Sequence, residues 1–322
     1  MPRFVVTAAA AAALAMASIP APAQDWPSRV VRVIVPAAPG GSSDAAARLV
    51  TNHFQSVFRQ PFIVENKPGN GNATGAAFVA QAAPDGYTLL VSNSASNLTV
   101  PLVARNAGYD PVADFTHIVM LTSSPYVFAV YPGLGVKTLG ALIAKAKAED
   151  LTYTAANRGG LGHIAAEYLQ RIAGFSMQHV AYRGGGPAVT DVIAGHVPAI
   201  ILPVTTIGAQ IRGGALIPLA ITAPARSPVL PEVPTFAESG YPDLVLTSWF
   251  GLSGPKNLDP RIVSRINREA RAFLKEPQMR KLAEIDASDP LDADAAGFAN
   301  YVAAEVARWG GIVRALDIKV EE

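Results

Sequence analysis

The chain of 322 residues contains no cysteine, so disulfides, thiol nucleophiles and thiolate metal sites are all excluded. It carries almost no net charge: 26 Lys and Arg stand against 25 Asp and Glu, a formal charge of +1. A balance of that kind leaves no electrostatic footprint for nucleic acid or for an anionic membrane surface. Beyond Ile19 no uninterrupted apolar stretch reaches the ~20 residues of a membrane-crossing helix. The five histidines, at 53, 117, 163, 179 and 196, are scattered along the chain with no second His or carboxylate at metal-ligand spacing, which predicts no metal site. There is no G-x-x-x-x-G-K-S/T loop, no G-x-S-x-G elbow and no H-E-x-x-H pair. Gly69 to Gly75 reads G-x-G-x-x-x-G, off the dinucleotide pattern, so no cofactor is expected.

What the chain does have begins at its start. Arg3 precedes an uncharged run from Phe4 to Ile19, followed by Pro20-Ala21-Pro22-Ala23, where Ala21 and Ala23 form the small-x-small pattern of a signal-peptidase site. Residues 1–23 are therefore expected to be a signal peptide cleaved after Ala23, delivering the protein to the periplasm. Loss of Arg3 with the leader brings the formal charge to zero.

The remaining ~300 residues exceed what one core usually organises. Short β-branched runs alternate with longer Ala-rich ones: Val30 to Val35, then Asp44 to Phe58; Phe62 to Glu65, then Thr74 to Ala82; Tyr87 to Ser92. A second series runs from Tyr126 to Leu202, with helices expected over Leu139 to Ala148, Gly162 to Ala173 and Ala188 to Ala194. This rhythm predicts βαβ units around mainly parallel sheets. Leu244 to Leu252 reads as a further strand, and Pro260 to Lys275 and Ala295 to Ala315 as terminal helices. The expected division is a discontinuous first lobe, 24–124 with 247–322, and an inserted second lobe, 125–246.

Three Gly-rich turns each lie between an expected strand and a helix: Pro39-Gly40-Gly41-Ser42-Ser43-Asp44, Asn157-Arg158-Gly159-Gly160-Leu161-Gly162-His163, and Tyr182-Arg183-Gly184-Gly185-Gly186-Pro187. Bare backbone N–H groups at a helix start suit a carboxylate as well as a phosphate. Turns split between two lobes would face each other across a cleft. Arg158 and Arg183 are candidate partners for a second carboxylate.

These segments, with Val64-Glu65-Asn66-Lys67-Pro68-Gly69, Ala83-Pro84-Asp85-Gly86-Tyr87-Thr88, Tyr109-Asp110-Pro111, Leu230-Pro231-Glu232-Val233-Pro234-Thr235 and Thr247-Ser248-Trp249-Phe250-Gly251, resemble the Bug-type (TctC-like) solute receptors of tripartite tricarboxylate transporters over essentially the whole chain. The resemblance implies an α/β, two-lobed, type II-like periplasmic-binding-protein fold with a Venus-flytrap cleft. It implies a non-enzymatic, cofactor-free receptor for a small organic carboxylate, monomeric, handing ligand to membrane permease subunits or to the ectodomain of a sensor kinase. Carried onto this chain, it puts Pro39, Gly40, Gly41 and Asp44 on one side of the ligand and Gly159, Gly160 and His163 on the other, with Tyr182 and Thr247 or Trp249 lining the cleft; Ser92, at the end of the run Tyr87 to Ser92, is a further candidate ligand contact. Two departures stand out: Leu161 between the glycines, and Leu202-Pro203 where polar residues are common in the family. Both favour an apolar or aromatic ligand body. The rival from another class, an exported hydrolase, lacks a Ser on a strand-to-helix elbow.

Overall fold

The computed structural model describes residues 26–155, 157–182, 184–277, 279–280 and 292–318. The expected signal peptide, its cleavage site and Arg183 lie outside them.

Strand β1 (Val31–Val35) is the sequence VRVIV, buried on both faces as an interior strand demands. It pairs in parallel with β2 (Phe62–Asn66) on one side and β3 (Thr88–Asn93) on the other. Helix α1 (Ser42–Phe58) buries Ala47, Val50, Phe54 and Phe58 against them. Helix α2 (Ala73–Ala80) covers Ile34 and Leu90 through Ala76 and Val79. Beyond β3 a five-residue π-turn (Ala95–Thr99) leads into the short helix α3 (Val100–Val103).

The sheet is mixed and not mainly parallel. β4 (Phe115–Val130) and β9 (Thr247–Pro255) run antiparallel to each other, and β9 is antiparallel to β3. β4 is long because it serves two sets of partners. Its first part pairs with β9, from Phe115 opposite Pro255 to Pro125 opposite Thr247. Its last five residues, Tyr126 to Val130, pair instead with β7 (Ala199–Pro203) and β8 (Ile217–Ile221). Pro125, which has no N–H to offer a ladder, stands where the partners change. The second lobe is completed by α4 (Leu139–Ala148), β5 (Thr152–Tyr153), α5 (Leu161–Ala173), β6 (Gln178–His179), α6 (Gly185–Ile193) and α7 (Val204–Arg212). β5 and β6 are parallel, and a bridge from Thr154 to Ile200 joins them to β7.

The two chain crossings are clasped by Thr222, which is fully buried. Tyr126 N–H donates to its Oγ1 (2.8 Å), and that hydroxyl donates to Leu246 O (2.6 Å). Leu246 N–H returns to Thr222 O (3.1 Å). Helices α8 (Pro260–Leu274) and α9 (Ala295–Leu316) close the chain. α9 rests on both lobes. Phe298 and Val302 pack with Met120 and Trp249, while Trp309 and Val313 enter the core formed by Leu142, Tyr153 and Leu169.

Candidate functional site

Because β1 and β3 are parallel and β9 antiparallel to β3, the loops after β1 and β3 and the start of β9 share one sheet edge. In the second lobe β7 runs antiparallel to β4, so Pro203, its last residue, stands opposite Tyr126 at the crossing. β5 is parallel to β7 and ends at the same side. The C-terminal strand ends of both lobes therefore converge on the line from Ser124 to Tyr126, the arrangement that places ligands in open α/β sheets.

Four helices begin on that line, and none has an N-cap side chain bonded to its first turn: α1 after Gly41, α5 after Gly160, α6 after Gly184 and α7 after Pro203. Helix α2 also starts uncapped, behind the short turn that follows β2 at the same sheet edge, whereas α3 merely continues the π-turn after β3, whose first amides, Ala95 and Ser96, are held by Asn93 Oδ1. Three helices that begin elsewhere are capped, α4 by Thr138, α8 by Asp259 and α9 by Asp294. Capping side chains satisfy the first N–H groups of a helix. Where they are missing, those donors and the positive end of the helix dipole remain for an anion. In α7 one donor is already taken, since Thr205 N–H reaches Ser124 Oγ (3.3 Å) across the crossing.

Pro39, Gly40 and Gly41 are exposed at the head of α1. Gly40 adopts φ +84°, a left-handed conformation that favours glycine, whereas Gly41 has an ordinary φ of −82°. Asp44 is not turned to the cleft. It is 4% exposed, and its carboxylate accepts from Gly40 N–H (3.1 Å), Arg48 Nε (2.8 Å) and Asn66 Nδ2 (3.1 Å). The Arg48 guanidinium, helped by the Gly40 amide, holds that carboxyl down to about 2. Asp44 thus shapes the loop that presents the free donors. The loop after β3 leans on it: Asn93 Nδ2 donates to Ser43 Oγ (3.4 Å), while Asn93 Oδ1 accepts from the Ala95 and Ser96 amides.

On the facing side Gly159 takes φ +74°, and its N–H donates to His163 Nδ1 (3.3 Å). Gly160 immediately precedes α5. His163 is buried, and burial, reinforced by the nearby Arg158 charge, depresses its pKa to about 4. Its ring lies 4.3 Å from that of His179, a contact between residues whose isolation along the chain gave no hint of it. Arg158 is exposed, with no hydrogen-bond or ion-pair partner among the described residues.

Several expected cleft residues are engaged elsewhere. Trp249 is fully buried in the core with Phe298 and Val302, because its side chain points under α9 and not along the edge. Ser92 is also fully buried. Its Oγ lies 2.8 Å from Ser253 Oγ, which in turn lies 2.9 Å from His117 Nδ1, while His117 Nε2 donates to Pro111 O (3.0 Å). This chain of polar atoms lies beneath the sheet edge; Ser253 and His117 are 0% and 3% exposed, sealed from any substrate. Tyr182 is half-buried with its hydroxyl donating to Asp191 (2.6 Å). Burial and that carboxylate raise the phenol to about 12. Thr247 is partly exposed at the crossing, with Oγ1 3.0 Å from Tyr301 Oη. Leu161 and Leu202, the basis for expecting an apolar ligand body, are 3% and 5% exposed and belong to the cores of the second lobe.

Among the described residues no group of three or more His, Asp or Glu side chains is placed to hold a metal ion, and no helix is long and apolar enough to cross a membrane.

Residues 46–318 match the model of the tripartite tricarboxylate transporter family receptor. Protein BugT of Bordetella pertussis is 34% identical over 321 residues, covering 99% of this chain and 96% of BugT. A protein of R. palustris solved with adipate is 31% identical, with a TM-score of 0.81 over 92% of this chain and 99% of that one. MatC from Rhodopseudomonas palustris with bound malate is 29% identical, with a TM-score of 0.78 over 89% and 100%. The convergent strand ends, the two-lobed α/β fold and these likenesses have one conclusion: the chain belongs to the tripartite tricarboxylate transporter receptor family.

Proposed function

We propose that this protein is a periplasmic receptor that captures a small dicarboxylate between its lobes and delivers it to the permease of a tripartite carrier. The observation that carries the reading is the set of helices that start without N-cap side chains where the strand ends of the two lobes meet. Their free N–H groups suit one carboxylate, and the exposed Arg158 guanidinium beside the β5–α5 turn suits a second. Two relatives solved with dicarboxylates, adipate and malate, favour the same class. With Leu161 and Leu202 inside the cores, an apolar or aromatic body is no longer required, although an aromatic diacid satisfies the same donors. Of the residues carried over from the family, Gly41 and Thr247 remain as ligand contacts in this reading, with Pro39 beside them; the amides of Gly40, Gly159 and Gly160 are already taken by Asp44, His163 and Asn157 O, so these glycines shape the turns, and Arg158 joins the contacts from the β5–α5 turn.

The lobe division at 124/125 and 246/247 is supported by the change of strand partners at Pro125 and by the Thr222 clasp, with α9 as a shared support. Export rests on the signal-like residues 1–23. A hydrolase is disfavoured because Ser253 and His117, which do lie within hydrogen-bonding distance, are sealed in the core without a carboxylate partner among the described residues.

A thermal-shift panel of adipate, malate, terephthalate, benzoate, citrate and aspartate tests the ligand class. A ligand at 100 times its dissociation constant adds about 2.7 kcal/mol of stability. At least one diacid should stabilise the protein, its monocarboxylate counterpart much less, and Arg158→Ala should erase the difference. Stabilisation by monocarboxylates equal to that by diacids, or an Arg158 variant that keeps full preference, would refute it.

A further inference from the structure

The turn from β5 to α5 carries half of the proposed carboxylate site, and each of its ends is tied to an imidazole. At the near end, Ala155 N–H donates to His179 Nε2 (3.3 Å). At the far end, Gly159 N–H donates to His163 Nδ1 (3.3 Å). A ring nitrogen that accepts from an amide carries no proton, so these two bonds fix opposite tautomers. His163 must bear its proton on Nε2, 3.8 Å from Glu167 Oε1. His179 must bear its proton on Nδ1, an atom that is fully buried and has no hydrogen-bond partner among the described residues. The two rings stand 4.3 Å apart at 54°. Leaving a buried N–H unsatisfied has a cost, and here the arrangement tolerates it in order to keep Nε2 free to accept.

We propose that His163 and His179 act together as a matched pair of neutral acceptors that holds the β5–α5 turn in its ligand-ready shape. The inference rests on the receptor reading above only in making that turn part of the ligand site. Neither ring needs to touch the ligand; both are positioning residues.

A proton added to either ring would turn its acceptor into a donor pointing at an amide donor. It would also place a cation beside the other imidazole and beside Arg158, whose charge opposes it at both rings. The groups facing the pair are these: Arg158 from the turn; Glu167 from α5, whose Oε1 already accepts from Tyr153 Oη (2.6 Å) and Gln170 Nε2 (3.2 Å); and Tyr153 from β5. Only Glu167 favours protonation, and it does so for His179 against larger opposing causes. Burial is the first cause at both rings, and each is depressed to about 4. The pair therefore stays neutral at every pH at which a free histidine would begin to charge.

Long-range proton–nitrogen correlation spectra of the ligand-free, nitrogen-15-labelled protein read the tautomers directly. His163 should appear as the Nε2–H form, His179 as the Nδ1–H form, and neither should titrate above pH 5. The opposite tautomer at either ring, or a charged ring at pH 6, overturns the proposal without reference to any ligand. Variants give the second readout. In His163→Asn and His179→Gln, amide oxygens replace Nδ1 and Nε2 as acceptors; His163→Phe and His179→Phe supply none. Hydrogen exchange of the Gly159 and Ala155 amides should accelerate at least tenfold in the matching Phe variant and return toward the parent rate in Asn or Gln. Unchanged protection in the Phe variants would refute the clamp, and if they fail to fold the parent tautomers still decide. With adipate and malate as probes, affinity should fall at least tenfold in the Phe variants and recover in Asn and Gln. If neither probe binds the parent protein, the dicarboxylate reading fails, while tautomers and exchange still judge the pair.

Discussion

Acid should destabilise this protein through a histidine that has nothing to do with ligand. His117 is 3% exposed, enclosed by β4 and β9 beside Phe115 and Phe298 and bonded to Pro111 O and Ser253. Burial lowers its pKa to about 4, with the Pro111 carbonyl opposing weakly. In the unfolded chain the ring titrates near its ordinary value of about 6.5. As pH falls from 7 to 5, the unfolded state takes up a proton that the folded state refuses, so stability is lost on acidification over that window. With those two values, linkage gives a loss of about 2 kcal/mol between pH 7 and pH 5. His117→Gln removes the titration while keeping an amide donor for Pro111 O. Urea unfolding of both proteins at the two pH values is the assay. His163 and His179 push in the same direction, but they are present in both proteins and cancel in the comparison. The carboxylates held low, Asp44 and Glu65 among them, act chiefly at lower pH. The variant should therefore lose about 2 kcal/mol less than the parent. Equal losses would mean that His117 charges inside the fold or that water reaches it, and the account of a sealed ring would be wrong.

Thr222→Val should cost about 1–3 kcal/mol in urea unfolding, because Tyr126 N–H and Leu246 O each lose a partner at the crossing; an unchanged midpoint would show the clasp to be dispensable. Gly40→Ala should cost about 1–2 kcal/mol in the same assay, since φ +84° suits glycine. Gly41→Ala, at φ −82° and with Ala38 O 3.7 Å from where its Cβ would sit, should be near neutral in stability, and equal costs at the two positions would contradict the assignment of the left-handed turn to Gly40. Gly41→Val should still weaken dicarboxylate binding by calorimetry, and equal affinity would remove that amide from the site. Small-angle scattering should give a smaller radius of gyration on saturation with a bound diacid, because donors from both lobes surround it; no change would place the site on one lobe.

Much of the architecture is legible in the sequence because local patterns decide it. Helix α4 matches its expected span, and α5 starts one residue earlier than expected, because in each an Ala-rich amphipathic run follows a turn. The first part of β4 was not legible: FTHIVMLTSS mixes polar and apolar residues without strict alternation, since the strand lies between sheet partners and helices on both faces. Helix α7, VTTIGAQIR, opens on β-branched residues that favour strands. Strand direction is no part of a periodicity, which is why the antiparallel β4 and β9 contradict the expected parallel sheets. At the site, the Gly-rich turns were legible as helix starts, but which of Gly40 and Gly41 takes the left-handed turn was not. The contact between His163 and His179 arises from the parallel pairing that sets Tyr153 opposite His179, and it leaves no trace at any fixed spacing. Leu161 and Leu202 misled because a residue next to a ligand loop in sequence can still point into the core.

The helices that start without caps also bear on how such a receptor diverges. In the proposed reading, a donor that belongs to the main chain survives most side-chain substitutions that leave the fold intact, proline and residues that block its approach excepted. On that reading the grip on one carboxylate would be inherited with the architecture, touched only by substitutions such as Gly41→Val that close off the approach to the backbone. Change in ligand preference is then confined to the few side chains around the rest of the molecule, Arg158 foremost, so new specificities can arise without rebuilding the part that holds.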